Sequence, residues 1–301
     1  CLFVEQDKAA LAALRINAEK LGLARPDIRA ASVLALGPAA SPLDVILMDP
    51  PYDSGAGAVA LDKLNRLGWV GPHSWISIET GRTEDVRVTG CQLSAIGDTM
   101  HIQRCRNIVF ANNHILGSRM GAFFLAEFCQ DATISGNLVD GTNGSRVISV
   151  EKSCTDVTMT GNTFRGGGRG AWINQPVNFI MTGNVFINNT TKNDPDMRRG
   201  RIAFQTAKPG QFPELYFTLY EPGATYGPII VNDNIFQLGE YCPEEAVTFA
   251  PNGHDLVFTG NTFQNKPATI VVDPTCTRSI IEGNLGAKTV KKPVDFNHGR
   301  R

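Results

Sequence analysis

From about residue 86 onwards, short apolar stretches alternate with polar, turn-forming steps at a nearly constant interval. Each interval holds a first apolar strand, a polar residue that is often Asp or Asn, and a second strand that ends in Gly-Asn or a close variant. Thr, Val, Ile and Phe dominate these stretches and none has a helical period, which predicts β-strands. Gly and Asn accept a positive φ angle more readily than other residues, so each Gly-Asn step predicts a bend. First strands are predicted at 100–105, 122–129, 147–154, 170–177, 246–249 and 268–272.

The Asn at the end of the second strand recurs along the chain. Neighbouring copies are 24, 25, 22, 50, 27 and 23 residues apart, a spacing typical of stacked repeats. We interpret the spacing of 50 as two coils, the second beginning with a strand at 201–206. Asn side chains stacked at equivalent positions can hydrogen-bond to one another, which predicts an Asn ladder. The ladder positions are Asn113, Asn137, Asn162, Asn184, Asn234, Asn261 and Asn284, with Cys91 in the equivalent place one coil earlier.

Two further columns follow from the same register. Four cysteines lie eight residues before a ladder Asn, and the chain has no CxxC pair, which argues for buried free thiols rather than a zinc site or a disulfide framework. The position twelve residues before the Asn is mostly apolar and is predicted to face the interior. The thiol column is Cys105, Cys129, Cys154 and Cys276, and the interior column is His101, Leu125, Val150, Trp172, Phe249 and Val272.

This repeat resembles the right-handed parallel β-helix of pectate-lyase-like proteins. We therefore predict a mainly β fold, with a β-helix of about eight to nine coils over residues 86–286. A basic, flexible tail is expected at 287–301, and a partial α/β unit at 1–85 precedes the β-helix. Such a repeat identifies a fold much better than it identifies a function.

Residues 1–85 have a different pattern, in which strands alternate with helices. A helix is predicted at 8–21 with Asp7 as its N-cap, and a second helix at 58–67. A buried strand at 45–48 runs into Asp49-Pro50-Pro51-Tyr52, and a further strand is predicted at 75–80. This alternation predicts a parallel, Rossmann-like α/β sheet.

The segments VEQD, LMDPPYDSG and WISIE resemble the bacterial 16S rRNA guanine-N2 methyltransferase family over residues 1–88. The resemblance implies that Asp49 and the Pro50 carbonyl accept hydrogen bonds from an exocyclic amine and that Tyr52 stacks on a flipped base. It also implies that Glu5 binds the ribose of S-adenosylmethionine. The family's first strand and glycine-rich loop should precede Cys1, so we interpret the segment as truncated and inactive, and expect no cofactor.

Two sets of side chains are candidates for a site on the β-helix. Four arginines precede first strands, and a column of them could bind an acidic polysaccharide, since Arg pairs with carboxylates bidentately. Solvated arginines paired with local acids are the alternative. Glu127 and Glu151 lie in neighbouring coils and could be those acids or a catalytic carboxylate pair. The four arginines are Arg119, Arg146, Arg169 and Arg201. No metal ligands are predicted.

These patterns leave three functional hypotheses. The first is a β-helix that binds or processes acidic polysaccharide. The second is an S-adenosylmethionine-dependent rRNA methyltransferase acting through residues 49–52, the only case with RNA as a partner. The third is a non-catalytic structural or surface β-helix.

A net charge of −1 implies no general affinity for polyanions, and no apolar run is long enough to span a membrane. A β-helix of this kind favours an extracellular or surface location, whereas the methyltransferase segment favours the cytoplasm.

Overall fold

The structure, a computed structural model, describes residues 1–51, 55–71, 74–79, 85–94, 98–118, 121–140, 146–189 and 212–295. Two α-helices lie in the first 79 residues, and three long parallel sheets form a solenoid from residue 85 onwards. The predicted fold class, a mainly β parallel solenoid after a small α/β unit, is confirmed.

The α/β unit contains two separate two-stranded parallel sheets. Strand β1 pairs with β2, and β3 pairs with β4. Asp7 caps the first helix as predicted, since its Oδ1 accepts a hydrogen bond from the Ala10 N–H at 2.8 Å. Its elements are β1 (Leu2–Glu5), α1 (Lys8–Lys20), β2 (Asp27–Ala30), a 3-10 turn (Val33–Ala35), β3 (Val45–Met48), α2 (Ala56–Arg66) and β4 (Trp75–Ile78).

In the solenoid, each coil contributes one strand to each sheet, and equivalent strands of successive coils pair in parallel. Sheet 1 contains β7 (Asp98–Gln103), β10 (Gly121–Ala126), β13 (Ser149–Val150), β16 (Ala171–Asn174), β19 (Leu215–Thr218), β22 (Val247–Phe249), β25 (Ala268–Val272) and β27 (Ala287–Lys291). Sheet 2 contains β5 (Asp85–Thr89), β8 (Arg106–Ala111), β11 (Gln130–Ser135), β14 (Thr155–Thr160), β17 (Val177–Thr182), β20 (Ile229–Asn232), β23 (Leu256–Thr259) and β26 (Ile280–Glu282). Sheet 3 contains β6 (Gln92–Ser94), β9 (His114–Leu116), β12 (Leu138–Asp140), β15 (Thr163–Arg165), β18 (Val185–Ile187), β21 (Ile235–Gln237) and β24 (Thr262–Gln264).

The predicted Asn ladder runs through the bend between sheets 2 and 3. Each Nδ2 from Asn113 to Asn261 donates to the Oδ1 of the next ladder Asn at 2.8–3.0 Å. That same Oδ1 also accepts from the backbone N–H of the preceding ladder Asn. The ladder therefore satisfies buried backbone groups that no strand pairs. The residue before each Asn has a positive φ angle, which explains the Gly that usually stands there.

The spacing of 50 between Asn184 and Asn234 is one enlarged coil, and the prediction of two coils is wrong. Asn184 Nδ2 donates directly to Asn234 Oδ1 at 2.9 Å, so no coil lies between them. The next first strand is β19, which pairs with β16 on one side and β22 on the other. The predicted strand at 201–206 lies outside the described residues.

The predicted interior column is wrong at two positions of sheet 1. Leu125 and Val150 face the interior as predicted, but the inward residues of two other coils are Ile102 and Ile173. His101 and Trp172 therefore lie on the outer face of the sheet. The turn between sheets 1 and 2, which we call the first turn, varies in length. It has two residues with positive φ after Leu125 and after Val150, but one after Ile102 and after Ile173. Where the turn is one residue shorter, the residue twelve positions before the ladder Asn moves by one place along the strand. Because side chains alternate along a strand, that residue then faces outward instead of inward.

The C-terminal segment forms part of the solenoid as far as residue 295. Residues predicted to begin a flexible tail form β27, which pairs with β25. The Val294 N–H donates to the Asp273 carboxylate at 2.9 Å. The prediction of a flexible tail is therefore wrong for residues 287–295, and residues 296–301 lie outside the described residues.

Cys105, Cys129, Cys154 and Cys276 are buried free thiols, as predicted.

Candidate functional site

The outer face of sheet 1 differs from the outer faces of the other two sheets. Its outward residues from Ser149 in β13 to Val271 in β25 are covered, whereas outward positions in sheet 2, such as Thr133 and Ile230, are exposed. His101 is exposed and Phe124 is half-buried, and their rings stack at 5.4 Å. One end of the outer face is therefore open to solvent. From β7 to β25, the outward residues of sheet 1 are His101, Phe124, Ser149, Trp172, Tyr216, Thr248 and Val271.

An aromatic cluster covers the middle of this face. Trp172, Phe212 and Tyr216 form an apolar group separate from the solenoid core, and we call it the outer cluster. Phe212 stacks on Tyr216 at 5.8 Å, and Trp172 Nε1 donates to Thr218 Oγ1 at 2.7 Å. Because the indole is both packed and hydrogen-bonded, its orientation is fixed.

Two of the predicted arginines stack on the outer cluster. Arg146 and Arg169 are bridge partners in neighbouring coils. The Arg146 guanidinium carbon lies 4.2 Å from the Trp172 ring centroid, and that of Arg169 lies 4.4 Å from the Phe212 centroid. These contacts are cation–π interactions, which stabilise a guanidinium that is removed from water.

The two arginines differ in their access to solvent. Arg169 is only 3% exposed, and burial lowers its pKa to about 10. A ligand could contact Arg169 only if the outer cluster moved. Arg146 remains half-buried at the open end. In the preceding coil Gly121, not Arg119, is the partner of Arg146, and Arg119 and Arg201 lie outside the described residues.

Glu127 is part of a column of charges in the first turn. Arg104 Nη2 lies 2.7 Å from Glu127 Oε2, and Lys152 of the next coil donates a hydrogen bond to Oε1. The Lys152 hydrogen bond, with a second from Gln103, lowers the pKa of Glu127 to about 2. Glu127 is therefore a stable carboxylate between two cations.

Glu151 has the opposite environment. Its side chain is 18% exposed, and its Oε1 lies 3.8 Å from Arg146 Nη1. Burial raises the pKa of Glu151, and the charges of Arg146 and His101 oppose that rise only in part. The two predicted carboxylates are thus chemically unequal, because one is held ionised and the other favours its proton more than a free Glu does.

The predicted methyltransferase residues lie at the carboxyl ends of parallel strands. Asp49 is exposed directly after β3, and Pro50 packs close to Gly57 of α2. Glu5 ends β1, and its Oε1 accepts hydrogen bonds from the N–H groups of Gln6 at 2.6 Å and Asp7 at 2.7 Å. Glu5 is therefore engaged in a local turn. Tyr52 lies outside the described residues.

Several residues of this face were not identified from the sequence. Phe124 follows another Phe, so strand alternation could not decide which ring faces outward. Tyr216 lies in none of the first strands predicted from the repeat. Lys152 carried no motif. The cluster of aromatic residues in 212–220 was the available signal for this surface.

Two family models match parts of the chain. Residues 1–99 match a model described as conserved hypothetical protein 95, an rRNA methyltransferase family. Residues 73–211 match a model described as periplasmic copper-binding protein (NosD). The two matches overlap at 73–99, where the α/β unit meets the first coil. No curated protein and no solved structure matches the chain.

The described residues do not fit the copper site that the second description implies. Among them, no group of three or more His, Cys, Asp or Glu side chains is arranged to hold a metal ion. The thiols of Cys129 and Cys154 instead donate to the backbone carbonyls of Ala126 and Glu151.

Among the described helices, none is long and apolar enough to cross a membrane.

Proposed function

We propose that the solenoid binds an acidic polysaccharide at the open end of the outer face of sheet 1. The binding surface consists of His101, Phe124, Arg146, Glu151 and Lys152, and we call it the open surface. Its location beside the outer cluster supports a binding role, since exposed aromatic and charged side chains on a rigid scaffold are typical of recognition sites.

The observation that carries this proposal is the fixed guanidinium of Arg146. Its stacking on Trp172 at 4.2 Å orients the plane of the guanidinium. A planar, oriented guanidinium favours bidentate pairing with a carboxylate, the group that repeats along a uronic-acid chain. Successive coils are about 4.8 Å apart, so an extended chain lying across them would meet one set of side chains per coil.

The same geometry favours processing of the bound glycan. A general acid needs a carboxyl group that keeps its proton near the working pH. The burial that raises the pKa of Glu151 favours Glu151 for this role. Glu127, which Arg104 and Lys152 hold as a carboxylate, suits electrostatic stabilisation instead.

The test is binding of polygalacturonate and of a neutral dextran at several salt concentrations. We expect the parent protein to bind only the acidic polymer, with affinity falling as salt rises. Arg146→Gln should weaken this binding severalfold. Arg165→Gln is the matched control, since Arg165 also pairs with an acid of a neighbouring coil, Asp140, but on sheet 3. Equal effects of the two variants, or no binding by the parent protein, would refute the proposal.

We further propose that this binding requires no metal or organic cofactor, so treatment with a chelator should leave the affinity for polygalacturonate unchanged. A location outside the cytoplasm fits such a ligand, and the matched NosD model is described as periplasmic.

The other two hypotheses have their own tests. The match of residues 1–99 and the exposed Asp49 favour a methyltransferase role as the second candidate. Saturable, micromolar binding of S-adenosylmethionine in calorimetry would support it. If the protein binds neither polygalacturonate nor S-adenosylmethionine, a purely structural solenoid is favoured.

A further inference from the structure

We propose that Glu151 is a resident counter-carboxylate of Arg146, and that a sugar carboxylate takes its place when Glu151 accepts a proton. Binding of an acidic glycan would then be coupled to proton uptake. This inference rests on the proposed function and specifies how the open surface is regulated.

The first argument is the position of the pair. Arg146 Nη1 lies 3.8 Å from Glu151 Oε1, and the side chains of these residues are only 17% and 18% exposed. Arg146 cannot easily turn toward another anion, since it stacks on Trp172, whose Nε1 is bonded to Thr218. An incoming carboxylate must therefore approach a guanidinium that already has an anionic neighbour. Two carboxylates at one partly buried cation repel each other, and protonation of one relieves the repulsion.

The second argument concerns the other charges around the pair. Glu151 faces the charges of Arg146, His101 and Lys152. Lys152 is committed to Glu127 and also lies 5.8 Å from the Tyr220 ring centroid. Arg169 is the charged residue beside Arg146 in the next coil. Glu151 and His101 are the titratable groups of this set besides the lysine and the arginines, so the experiment must separate them.

The direction of the pH effect follows from comparing the pKa of Glu151 with the pKa of the sugar carboxylate. Burial raises the pKa of Glu151, whereas a sugar carboxylate in water keeps a pKa of about 4. As pH falls, Glu151 therefore takes up its proton before the ligand does. Affinity should rise on acidification while the ligand stays ionised, and should fall once the ligand itself becomes protonated. Where Glu151 is ionised in the free protein and protonated in the complex, each binding event takes up as much as one proton onto Glu151.

The experiment is calorimetry of polygalacturonate binding in two buffers of different ionisation enthalpy, from neutral to mildly acidic pH. The parent protein should take up protons on binding. Glu151→Gln should abolish the uptake, flatten the pH profile and bind about fivefold more tightly at neutral pH, the size of one like-charge repulsion near a surface. Circular dichroism of the variant checks that the solenoid is intact.

His101→Gln is the comparison variant for the other titratable group of the open surface; whatever its affinity, its proton uptake per bound ligand should equal that of the parent. Uptake that persists in Glu151→Gln, or that disappears in His101→Gln, would overturn the role of Glu151 while leaving glycan binding in place. Absence of binding by the parent at every pH would refute the proposed function itself.

Discussion

The α/β unit (1–79) and the solenoid (85–295) differ in how many of their strands have a hydrogen-bonded neighbour on both sides. In the α/β unit, β1 and β3 each pair with a single described strand. Val45 and Leu47 of β3 are 55% and 74% exposed. In the solenoid, every coil between the ends has a neighbour on both sides, and its inward side chains are almost fully buried.

The difference shows what each pattern needs in order to be complete. An inner strand of a parallel sheet needs a partner on each side, which no described strand of the α/β unit has. A solenoid coil needs only another coil, because its backbone groups, ladder Asn and apolar residues all find partners in the next repeat. Substitutions should therefore have large effects in the solenoid and small effects at equivalent residue types in the α/β unit.

The largest effect is expected in the Phe stack of sheet 3. Phe186 is fully buried, and its ring lies 4.9 Å from that of Phe164 and 5.0 Å from that of Phe236. Phe186→Ala should lower the free energy of unfolding by about 3–5 kcal/mol, since it leaves a cavity in a rigid interior. Leu47→Ala in β3 should change it by less than about 0.5 kcal/mol. Urea unfolding followed by circular dichroism measures both, and a similar loss in the two variants would contradict the comparison.

A slightly smaller loss is expected in the Asn ladder. Asn162 is fully buried, donates to Asn184 Oδ1 and the Ile134 carbonyl, and accepts from the Asn137 N–H. Asn162→Ala leaves several buried polar groups without partners, which should cost about 2–4 kcal/mol in the same unfolding measurement. Asn65→Ala in α2 is the control, because among the described residues its Nδ2 makes a single long contact, of 3.9 Å to Cys91 Sγ. If the control is as destabilising as Asn162→Ala, the ladder is not a special source of stability.

The ladder was predictable because its chemistry repeats in the sequence. Gly or a substitute such as Asp233 stands before each ladder Asn, and both the bend and the amide column follow from local properties. The first turn was not predictable in the same way. One or two residues with positive φ fit it equally well, as Arg104 and the pair Glu127–Phe128 show. That choice decides whether His101 and Trp172 face inward or outward.

The candidate site was predictable only in part for a related reason. Arg146 and Glu151 could be placed in the same coil from the repeat alone, but their burial depends on contacts distant in sequence. Trp172 meets Tyr216 across the enlarged coil, and Phe212 covers Arg169. The spacing of 50 concealed these contacts, because it was interpreted as two regular coils instead of one coil with a long insertion.

A pH-dependent effect is expected where the enlarged coil returns to sheet 1. Glu214 is fully buried, its Oε1 accepts from Asn189 Nδ2 at 2.8 Å, and burial raises its pKa to about 7. Between the unfolded pKa of 4.5 and about 7, the folded protein holds a proton that the unfolded chain has released. Stability should therefore fall as pH rises through this range, by on the order of 3 kcal/mol, and stay level above it.

Glu214→Gln tests this assignment, because Gln keeps an oxygen for Asn189 and cannot ionise. The variant should lose this part of the pH dependence and be more stable than the parent at pH above about 7. Thermal unfolding across the pH range measures it. An unchanged slope in the variant would mean that another group titrates.

The smallest effect is expected for exposed ion pairs, and it should be the same in both regions. Arg66 pairs with Asp62 on α2, and Arg165 pairs with Asp140 across two coils of the solenoid; the two arginine side chains are 74% and 45% exposed. Water and salt screen such pairs, and holding long side chains in place costs entropy. Arg66→Gln and Arg165→Gln should therefore leave the unfolding midpoint unchanged within error. A clear loss for Arg165→Gln alone would mean that contacts between coils stabilise the solenoid even where they are exposed. The contrast between the two regions would then come from the repeat itself and not from burial.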